Sequence, residues 1–445
     1  MGYAFARSDV AFLGSAAGRA ALAETAGLPL TDGSLLADLG RVRRAHGAMA
    51  AALVETVRLR RRAAAKLDGA GEWLLTDDAL QQATPSAVAG HRATRLAGRA
   101  VHDVTCSIGG ELAALAETCT AVIGSDIDPV RLAMAAHNLA VAGADIPARG
   151  NAAPAGRTGS GRPEIAAGEQ ANAVEAAIDG PTNAAAGPET DRAHRAPVAL
   201  FRADALIPCT RDTVVVADPG RRAGGKRTHD PTALQPPLPD LLAAYAGRDL
   251  VVKCAPGLDF SRLEWPGEIE LVSLDGGVRE ACLWSPGLTA SGITRRATVL
   301  RTGQPPSTLT DADPDDIPER EPGTWIVDPD GAVVRAGLVR HYAAKHGLWQ
   351  LDPRIAYLTG EAVPPGTRGF RVLDRFELRE KPLRAELRRR GCGPLEILVR
   401  GVDLDPDRLR RTLAPTGRTP YTLVVTRIGR AAAVFLCTAT PATPG

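Results

Sequence analysis

The sequence is poor in paired cysteines, aromatic residues and long apolar runs. Its seven cysteines are odd in number and include no C-x-x-C pair, so we expect neither a disulfide framework nor a metal site. No uncharged apolar run approaches the ~20 residues that a membrane-spanning helix needs. The first residues also lack the charged start and apolar core of a signal peptide. We therefore expect a cytoplasmic protein that does not bind membranes.

The overall charge is close to neutral, but it is unevenly distributed along the chain. The net charge is +2 over 445 residues, a length that predicts two or three domains. Residues 320–445 contain 21 Lys and Arg against 13 Asp and Glu. A basic C-terminal region fits the docking of a polyanion such as RNA, and it fits a solvated arginine-rich surface equally well.

The strongest local signal is a strand, turn, helix and strand at residues 101–129, and it lacks the glycine pattern of dinucleotide sites. In the Gly-x-Gly-x-x-Gly register, the three glycine positions hold Ser107, Gly109 and Leu112. This argues against NAD or FAD, whose pyrophosphate needs close approach of the backbone. The second strand ends in Asp126, which is placed to accept hydrogen bonds from ribose hydroxyls.

S-adenosylmethionine has no phosphate and tolerates a looser turn than a dinucleotide does. It needs a turn for its methionine half, an acid for its ribose and a polar contact for its adenine. Asp126 is the candidate for the ribose and Asp204 the candidate for the adenine. The candidates around the methionine half are Asp103, Cys106, Gly109 and Gly110.

Two motifs carry a resemblance to a known family. Asp-x-Thr-Cys-x-Ile-Gly-Gly at 103–110, followed by Ser-Asp-Ile-Asp-Pro-Val-Arg-Leu-Ala at 125–133, resembles class I methyltransferases of the trimethylguanosine-synthase type. With segments 73–85 and 395–403, the chain more closely resembles bacterial methyltransferases that end in a THUMP-like domain. The resemblance covers residues 40–145 and 198–440. It implies a Rossmann-like fold, S-adenosylmethionine as cofactor and RNA as partner.

The chain departs from that family at two places. Ser107 stands where the turn normally begins with glycine. The trimethylguanosine enzymes carry Asp-Pro-Pro-Trp after the fourth strand, whereas this chain reads Asp-Pro-Gly-Arg-Arg at 218–222. With no aromatic residue there to stack on a base, methylation of a guanine amine does not carry over.

We predict an α/β fold with a Rossmann-like methyltransferase sheet, an N-terminal helical region and a C-terminal α+β domain. Apolar strands are expected at 198–201, 213–217 and 250–253, and a hairpin at 268–284. Further hairpins are expected around 324–335 and 370–379. The predicted domains are a helical region at 1–97, a methyltransferase domain at 98–305 with a disordered insertion at 149–197, a linker at 306–320 and a THUMP-like domain at 321–440.

Asp218 is the candidate catalytic residue because it ends the fourth strand, where open α/β sheets bind ligands. It would touch the methyl acceptor; the alternative is that it only caps the turn. Arg221 and Arg222, with Lys226 and Arg227, form a basic loop that is placed to bind substrate phosphates. The alternative there is a solvated loop without a ligand.

Three further features are assigned structural roles. The basic cluster from Arg58 to Lys66 fits a helix surface better than a nucleic-acid site. Asp128, before a proline, fits a helix N-cap. Cys254 fits a buried thiol better than a nucleophile, and His229 is not assigned a catalytic role.

These observations favour an S-adenosylmethionine-dependent methyltransferase that acts on tRNA or rRNA. Two alternatives remain open at this point. One keeps the cofactor and changes the acceptor to a small molecule or a protein. The other is a catalytically silent RNA-binding protein that retains the fold.

Overall fold

The computed structural model falls into two compact units. They are Met1–Gly267 with Arg279–Thr289, and Glu268–Val278 with Ala290–Gly445. The predicted domain boundaries at 97, 305 and 320 remain predictions. Of the predicted insertion at 149–197, all but the last three residues lie outside the described part of the chain. The structure describes residues 2–146, 195–220, 222–223, 226–227, 230–260 and 263–440.

The first unit begins with the predicted helical region. Ser15 and Thr76 cap helix N-termini by accepting hydrogen bonds from backbone N–H groups. Leucines of these helices and of the loop before α5 pack into one buried core, which includes Leu13, Leu53 and Leu74. The helices here are α1 (Arg7–Gly14), α2 (Ala16–Ala26), α3 (Leu35–His46), α4 (Ala50–Ala63), α5 (Asp77–Gln82) and α6 (Ser86–Arg95).

A mostly parallel sheet follows in the same unit, as predicted. In chain order the elements of this region are β1 (Ala100–Asp103), α7 (Gly110–Thr118), β2 (Ala121–Asp126), α8 (Pro129–Val141), β3 (Val198–Arg202), β4 (Val214–Ala217), β5 (Arg222–Ala223), β6 (Lys226–Arg227), α9 (Leu238–Ala244) and β7 (Leu250–Cys254). Strands β5 and β6 form a separate two-stranded antiparallel sheet. The next two strands are β8 (Glu268–Leu274), in the second unit, and β9 (Gly277–Trp284), which belongs to the first unit from residue 279 on.

The sheet order within the first unit is β9-β7-β4-β1-β2-β3. Strands β3, β2, β1, β4 and β7 are parallel to their neighbours, and β9 pairs antiparallel with β7. Valines from adjacent strands, including Val101, Val122 and Val251, form the buried layer between the sheet and its helices. The α/β fold and its antiparallel strand beside the fifth parallel strand are therefore confirmed.

The second unit is α+β, as predicted. Strands β8 and β10 are parallel, and β11 pairs antiparallel with β10. A seven-stranded sheet has the order β13-β14-β12-β15-β18-β17-β16. The elements of this unit after β8 are β10 (Arg295–Leu300), β11 (Ser307–Thr310), β12 (Trp325–Asp328), α10 (Gly331–Ala336), α11 (Val339–His346), β13 (Trp349–Gln350), β14 (Leu358–Gly360), β15 (Arg368–Glu377), α12 (Glu380–Arg389), β16 (Cys392–Arg400), α13 (Pro406–Leu413), β17 (Thr419–Ile428) and β18 (Ala431–Thr440).

Two predicted hairpins in this unit are wrong. Residues 331–335 form a helix rather than a return strand, because Asp330 accepts a hydrogen bond from the N–H of Ala332 and caps it. Residues 370–377 lie in one long strand, β15, which pairs with β12 on one side and β18 on the other. Among the described residues, the helices are too short or too polar to cross a membrane.

Candidate functional site

The carboxyl ends of β1, β2, β4 and β7 meet around a cavity of about 400 Å³ in the first unit. This is where open α/β sheets bind ligands. The described lining is acidic, with six carboxylate residues against Arg131 and Lys253. The six are Asp78, Asp103, Glu111, Asp126, Asp204 and Asp218. A cavity of this charge suits a cationic ligand.

Asp103 lies at the end of β1 and is tied to the end of β4 through Thr105. Asp103 Oδ1 accepts a hydrogen bond from the backbone N–H of Thr105 at 3.0 Å and lies 3.3 Å from its hydroxyl. Thr105 Oγ1 in turn accepts from the N–H of Asp218 at 2.7 Å. Burial raises the pKa of Asp103 to about 7, against the opposing effects of the Thr105 N–H and the Lys253 ammonium.

The turn after β1 needs left-handed backbone at two places. Ser107 has φ +49° and Gly109 has φ +83°. The family's usual glycine at position 107 is explained by this conformation. A Cβ added to Gly109 would lie 3.3 Å from Ala135 Cβ on α8, so glycine at 109 also permits close packing of that helix.

Asp126 connects the turn to the end of β2. Its Oδ2 accepts a hydrogen bond from the N–H of Ser107 at 3.0 Å, and its Oδ1 accepts from the N–H of Asp128 at 2.8 Å. Burial raises its pKa, although these hydrogen bonds and Arg131 oppose the shift. Asp128 accepts from the N–H groups of Val130 and Arg131, which confirms that it caps α8.

Asp218 follows β4 and forms an ion pair with a buried lysine. Lys253 Nζ lies 2.6 Å from Asp218 Oδ2 and 4.0 Å from Glu111 Oε2. The Lys253 side chain is 7% exposed and that of Asp218 is 30% exposed, so the carboxylate is the more accessible member. Burial lowers the pKa of Lys253, but Asp218 and Glu111 outweigh it, and the net pKa is raised.

Glu111, at the start of α7, is held from the other side by Arg92 of α6. Arg92 Nε donates to Glu111 Oε1 at 2.6 Å and its Nη2 donates to Oε2 at 3.2 Å. Arg92 also forms an ion pair with Glu280 of β9. Arg92 is 1% exposed, so these charges compensate one another away from bulk water.

The cavity lining also contains Gln82, Gly220 and Gln235. Gly220 and Gln235 exchange two backbone hydrogen bonds of 2.7 and 3.0 Å, which join the two ends of the basic loop. Arg222 lies in β5 within that loop, while Arg221 and His229 fall outside the described residues. Gln82 Nε2 donates to Asp78 Oδ1 at 2.9 Å.

The remaining predicted residues are placed as follows. Asp204 lines the cavity after β3, and its Oδ1 accepts from the N–H of Leu206 at 2.9 Å. Cys106 lines the cavity and is 3% exposed, and burial raises the pKa of its thiol. Cys254, at the end of β7, is 2% exposed, in agreement with the interpretation as a packed thiol.

The basic cluster on α4 is used within the protein. Arg61 donates to the carbonyl oxygens of Ala26, Leu28 and Pro29, which follow from the end of α2. Arg60 donates to the carbonyls of Glu72 and Trp73. These two cations therefore stabilise the chain's own helix ends and loops, whereas the sequence predicted a solvated helix surface.

Sequence reasoning missed several polar residues of this site, among them Arg92, Thr105, Glu111 and Lys253. For Lys253 the sequence does contain a signal, because this lysine directly follows the apolar run 250–252. A lysine buried at such a position is unfavourable without a charged partner, so the sequence indicates that one is present. Glu111, one residue into α7, had no such signal because acids are common in the first turn of any helix.

Comparisons with known proteins agree with this geometry. The chain is 52% identical over 386 residues to two Mycobacterium tuberculosis proteins, from strains CDC 1551 and H37Rv, covering 85% of this chain and 92% of each relative. Both are described as uncharacterized S-adenosylmethionine-dependent methyltransferases. The THUMP domain-like family matches residues 367–439, and a domain of unknown function (DUF8688) matches residues 6–63.

A solved structure shares the fold. The crystal structure of a candidate methyltransferase from Porphyromonas gingivalis W83 superposes with a TM-score of 0.62 at 16% sequence identity. The match covers 88% of this chain and 91% of that one.

Proposed function

Because this chain belongs to the S-adenosylmethionine-dependent methyltransferases, we propose that it methylates RNA, with tRNA or rRNA as the substrate. The observation that carries the proposal is the acidic cavity at the strand ends, in a chain that also has a THUMP-like C-terminal domain. The basic charge of residues 320–445 supports a polyanionic substrate.

The cavity fits the cofactor by volume and by charge. S-adenosylmethionine carries positive charge on its sulfonium and its ammonium, and six carboxylates line the described part of the cavity. We propose that Asp126 binds the ribose and Asp204 the adenine. In the same proposal Asp103 and the turn that contains Cys106, Gly109 and Gly110 bind the methionine half.

When bound, the cofactor supplies an electrophilic methyl group, which bonds to the acceptor atom as the carbon–sulfur bond breaks. The protein's part in such a displacement is to bring the two reactants together and to orient the acceptor's lone pair. We propose that Asp218 does this by accepting a hydrogen bond from the acceptor. Its position at the end of β4, with 30% of its side chain exposed, supports that role.

Substrate contacts are proposed for the loop after β4. The Gly220–Gln235 backbone pair holds both ends of this loop at the cavity wall. Arg221 and Arg222 follow directly after Gly220, and we propose that they bind phosphates next to the target nucleotide.

The test is transfer of labelled methyl groups to RNA. Purified protein is incubated with methyl-labelled S-adenosylmethionine and total RNA from a strain that lacks the gene. We expect label on this RNA and little on wild-type RNA, which the cell has already modified. Cofactor binding without RNA label would overturn the RNA proposal and favour a small-molecule or protein acceptor. Asp218→Asn is the control that should bind cofactor without transferring label.

A further inference from the structure

A line of alternating charges runs from the cavity wall into the first unit: Asp218, Lys253, Glu111, Arg92 and Glu280. We propose that Lys253 is a positioning residue for the methyl-acceptor site, which holds Asp218 in place while Glu111 and Arg92 hold Lys253. The proposal rests on the proposed role of Asp218 and adds a residue to it.

The sheet register brings the first pair together. Strands β4 and β7 are parallel neighbours, with Ala217 opposite Val252. The next residue on each strand is Asp218 and Lys253, so the two side chains leave adjacent strands at the same level. Backbone pairing therefore brings the two residues side by side where β4 ends, and Lys253 Nζ lies 2.6 Å from Asp218 Oδ2.

The inner members of the line are rigidly held. Glu111 accepts two hydrogen bonds from Arg92, and both side chains are at most 7% exposed. A buried ammonium is unfavourable without compensating carboxylates, and Lys253 has one on each side. Lys253 therefore has little freedom to leave Asp218.

This arrangement controls how Asp218 meets an acceptor. Fixing Oδ2 fixes the plane of the carboxylate, and with it the direction of Oδ1. An acceptor N–H or O–H can then donate along one direction, which aligns its lone pair with the methyl group.

The first test compares Lys253→Met with Lys253→Arg, using total RNA from the gene-deletion strain as the acceptor. We expect Lys253→Met to lower kcat about 100-fold, as a misplaced reactive group does, with a smaller change in KM for S-adenosylmethionine. Lys253→Arg should restore part of kcat because it keeps the charge. Wild-type kcat in Lys253→Met would overturn the proposal.

The pH dependence of kcat distinguishes a loss of positioning by Lys253 from a general loss of native structure. The charged groups facing Lys253 are Asp218 on β4, Asp103 on β1, Glu111 on α7, Arg92 on α6 and Glu280 on β9. The Lys253 ammonium lowers the pKa of Asp103, so without it the acidic limb of the pH profile should move to higher pH. A purely structural loss would lower kcat at all pH values and leave the limb in place, which would contradict the proposal.

A crystal structure of Lys253→Met tests the proposal without any acceptor. We expect the Asp218 carboxylate to have rotated from its wild-type position; an unmoved carboxylate would overturn the proposal. If wild-type protein fails to label RNA, the proposed function fails, and this structure still decides the role of Lys253. The matched control is Arg296→Met, which breaks the partly buried ion pair with Glu268 in the second unit and should leave kcat and its pH limb unchanged.

Discussion

Asp126 accepts two backbone hydrogen bonds in addition to its proposed contact with the ribose. A test therefore needs a substitution that keeps the size and shape of the side chain. Its oxygens accept from the N–H groups of Ser107 and Asp128. Asn can keep one such contact and loses the charge. Since a hydrogen bond to a charged group contributes about 1.5–3 kcal/mol, we expect Asp126→Asn to weaken S-adenosylmethionine binding at least ~10-fold by calorimetry. Asp240→Asn, on exposed α9, is the control, and equal affinity for both variants would remove Asp126 from the site.

Asp103 should make cofactor binding depend on pH. Burial raises its pKa to about 7, so below pH 7 the carboxyl is mostly protonated and neutral. A cationic cofactor favours the ionised form, so affinity should rise as the pH rises through 7 and level off above it. Calorimetric titration between about pH 5.5 and 8.5 measures this, and Asp103→Asn should flatten the curve. A wild-type affinity independent of pH would contradict the contact.

The sequence predicts a residue of the site when the role of that residue depends only on its neighbours in the chain. Asp126 and Asp128 follow an apolar strand and precede a proline, and that sequence alone indicates a strand-end acid and a helix cap. The Asp218–Lys253 pair was not predictable in this way. It joins residues 35 positions apart and depends on which strand lies beside β4, which only the folded sheet determines.

The turn between β1 and α7 is an element whose shape depends on one glycine. Gly109 has φ +83°, and an added Cβ would meet Ala135 at 3.3 Å. We expect Gly109→Ala to lower the free energy of unfolding by about 1–2 kcal/mol. Chemical denaturation measures this against Gly110→Ala, which lies within α7, where an added Cβ would lie 3.8 Å from Trp73 and should be tolerated. Equal stability of the two variants would contradict this account of the turn.

Strands and helices were predicted correctly where a single sequence feature, such as an apolar run or a helix cap, indicated them. The apolar runs of β3, β4 and β7 and the Asp-Pro start of α8 identified these elements directly. Residues 324–335 were predicted to form a hairpin, and their turn residues, Asp-Pro-Asp-Gly at 328–331, are compatible with one. The same residues also start a helix, and the cap at Asp330 with packing of Val333 selected the helix.

At the scale of the whole molecule, acidic and basic charge are concentrated in different regions of the chain. The acidic cavity lies entirely within the first compact unit. The basic excess lies in residues 320–445, which include the THUMP-like match at 367–439. Composition predicted this division because net charge is additive along a chain. It could not predict which cations stay exposed, since that depends on the ion pairs that folding creates.

Within the second unit, helices α12 and α13 bury leucines against the sheet and expose cations. The buried cluster that they share with the strands includes Leu383 and Leu387 of α12 and Leu409 and Leu413 of α13. Arg389 and Arg390 are paired with Glu386, whereas Arg388 and Arg411 are exposed on the outer sides of the two helices. The exposed pair is therefore the place to test whether this region contacts a polyanion.

If the basic region docks RNA, binding must weaken with salt, because each phosphate contact releases a counterion. We expect the logarithm of the affinity of the full chain for tRNA to fall linearly with the logarithm of salt concentration. Replacing Arg388 and Arg411 together with Gln should reduce the slope by about 1.4–1.8, at roughly 0.7–0.9 per contact. Filter binding between about 50 and 300 mM salt measures the slope.

The control for this slope removes the same charge from a different surface. Arg43→Gln with Arg44→Gln, on exposed positions of α3, takes two cations from the first unit. This double variant should leave the slope nearly unchanged, because the slope counts phosphate contacts and not the charge of the whole protein. Equal slopes for the two double variants would mean that net charge alone, not the surface formed by α12 and α13, governs RNA binding.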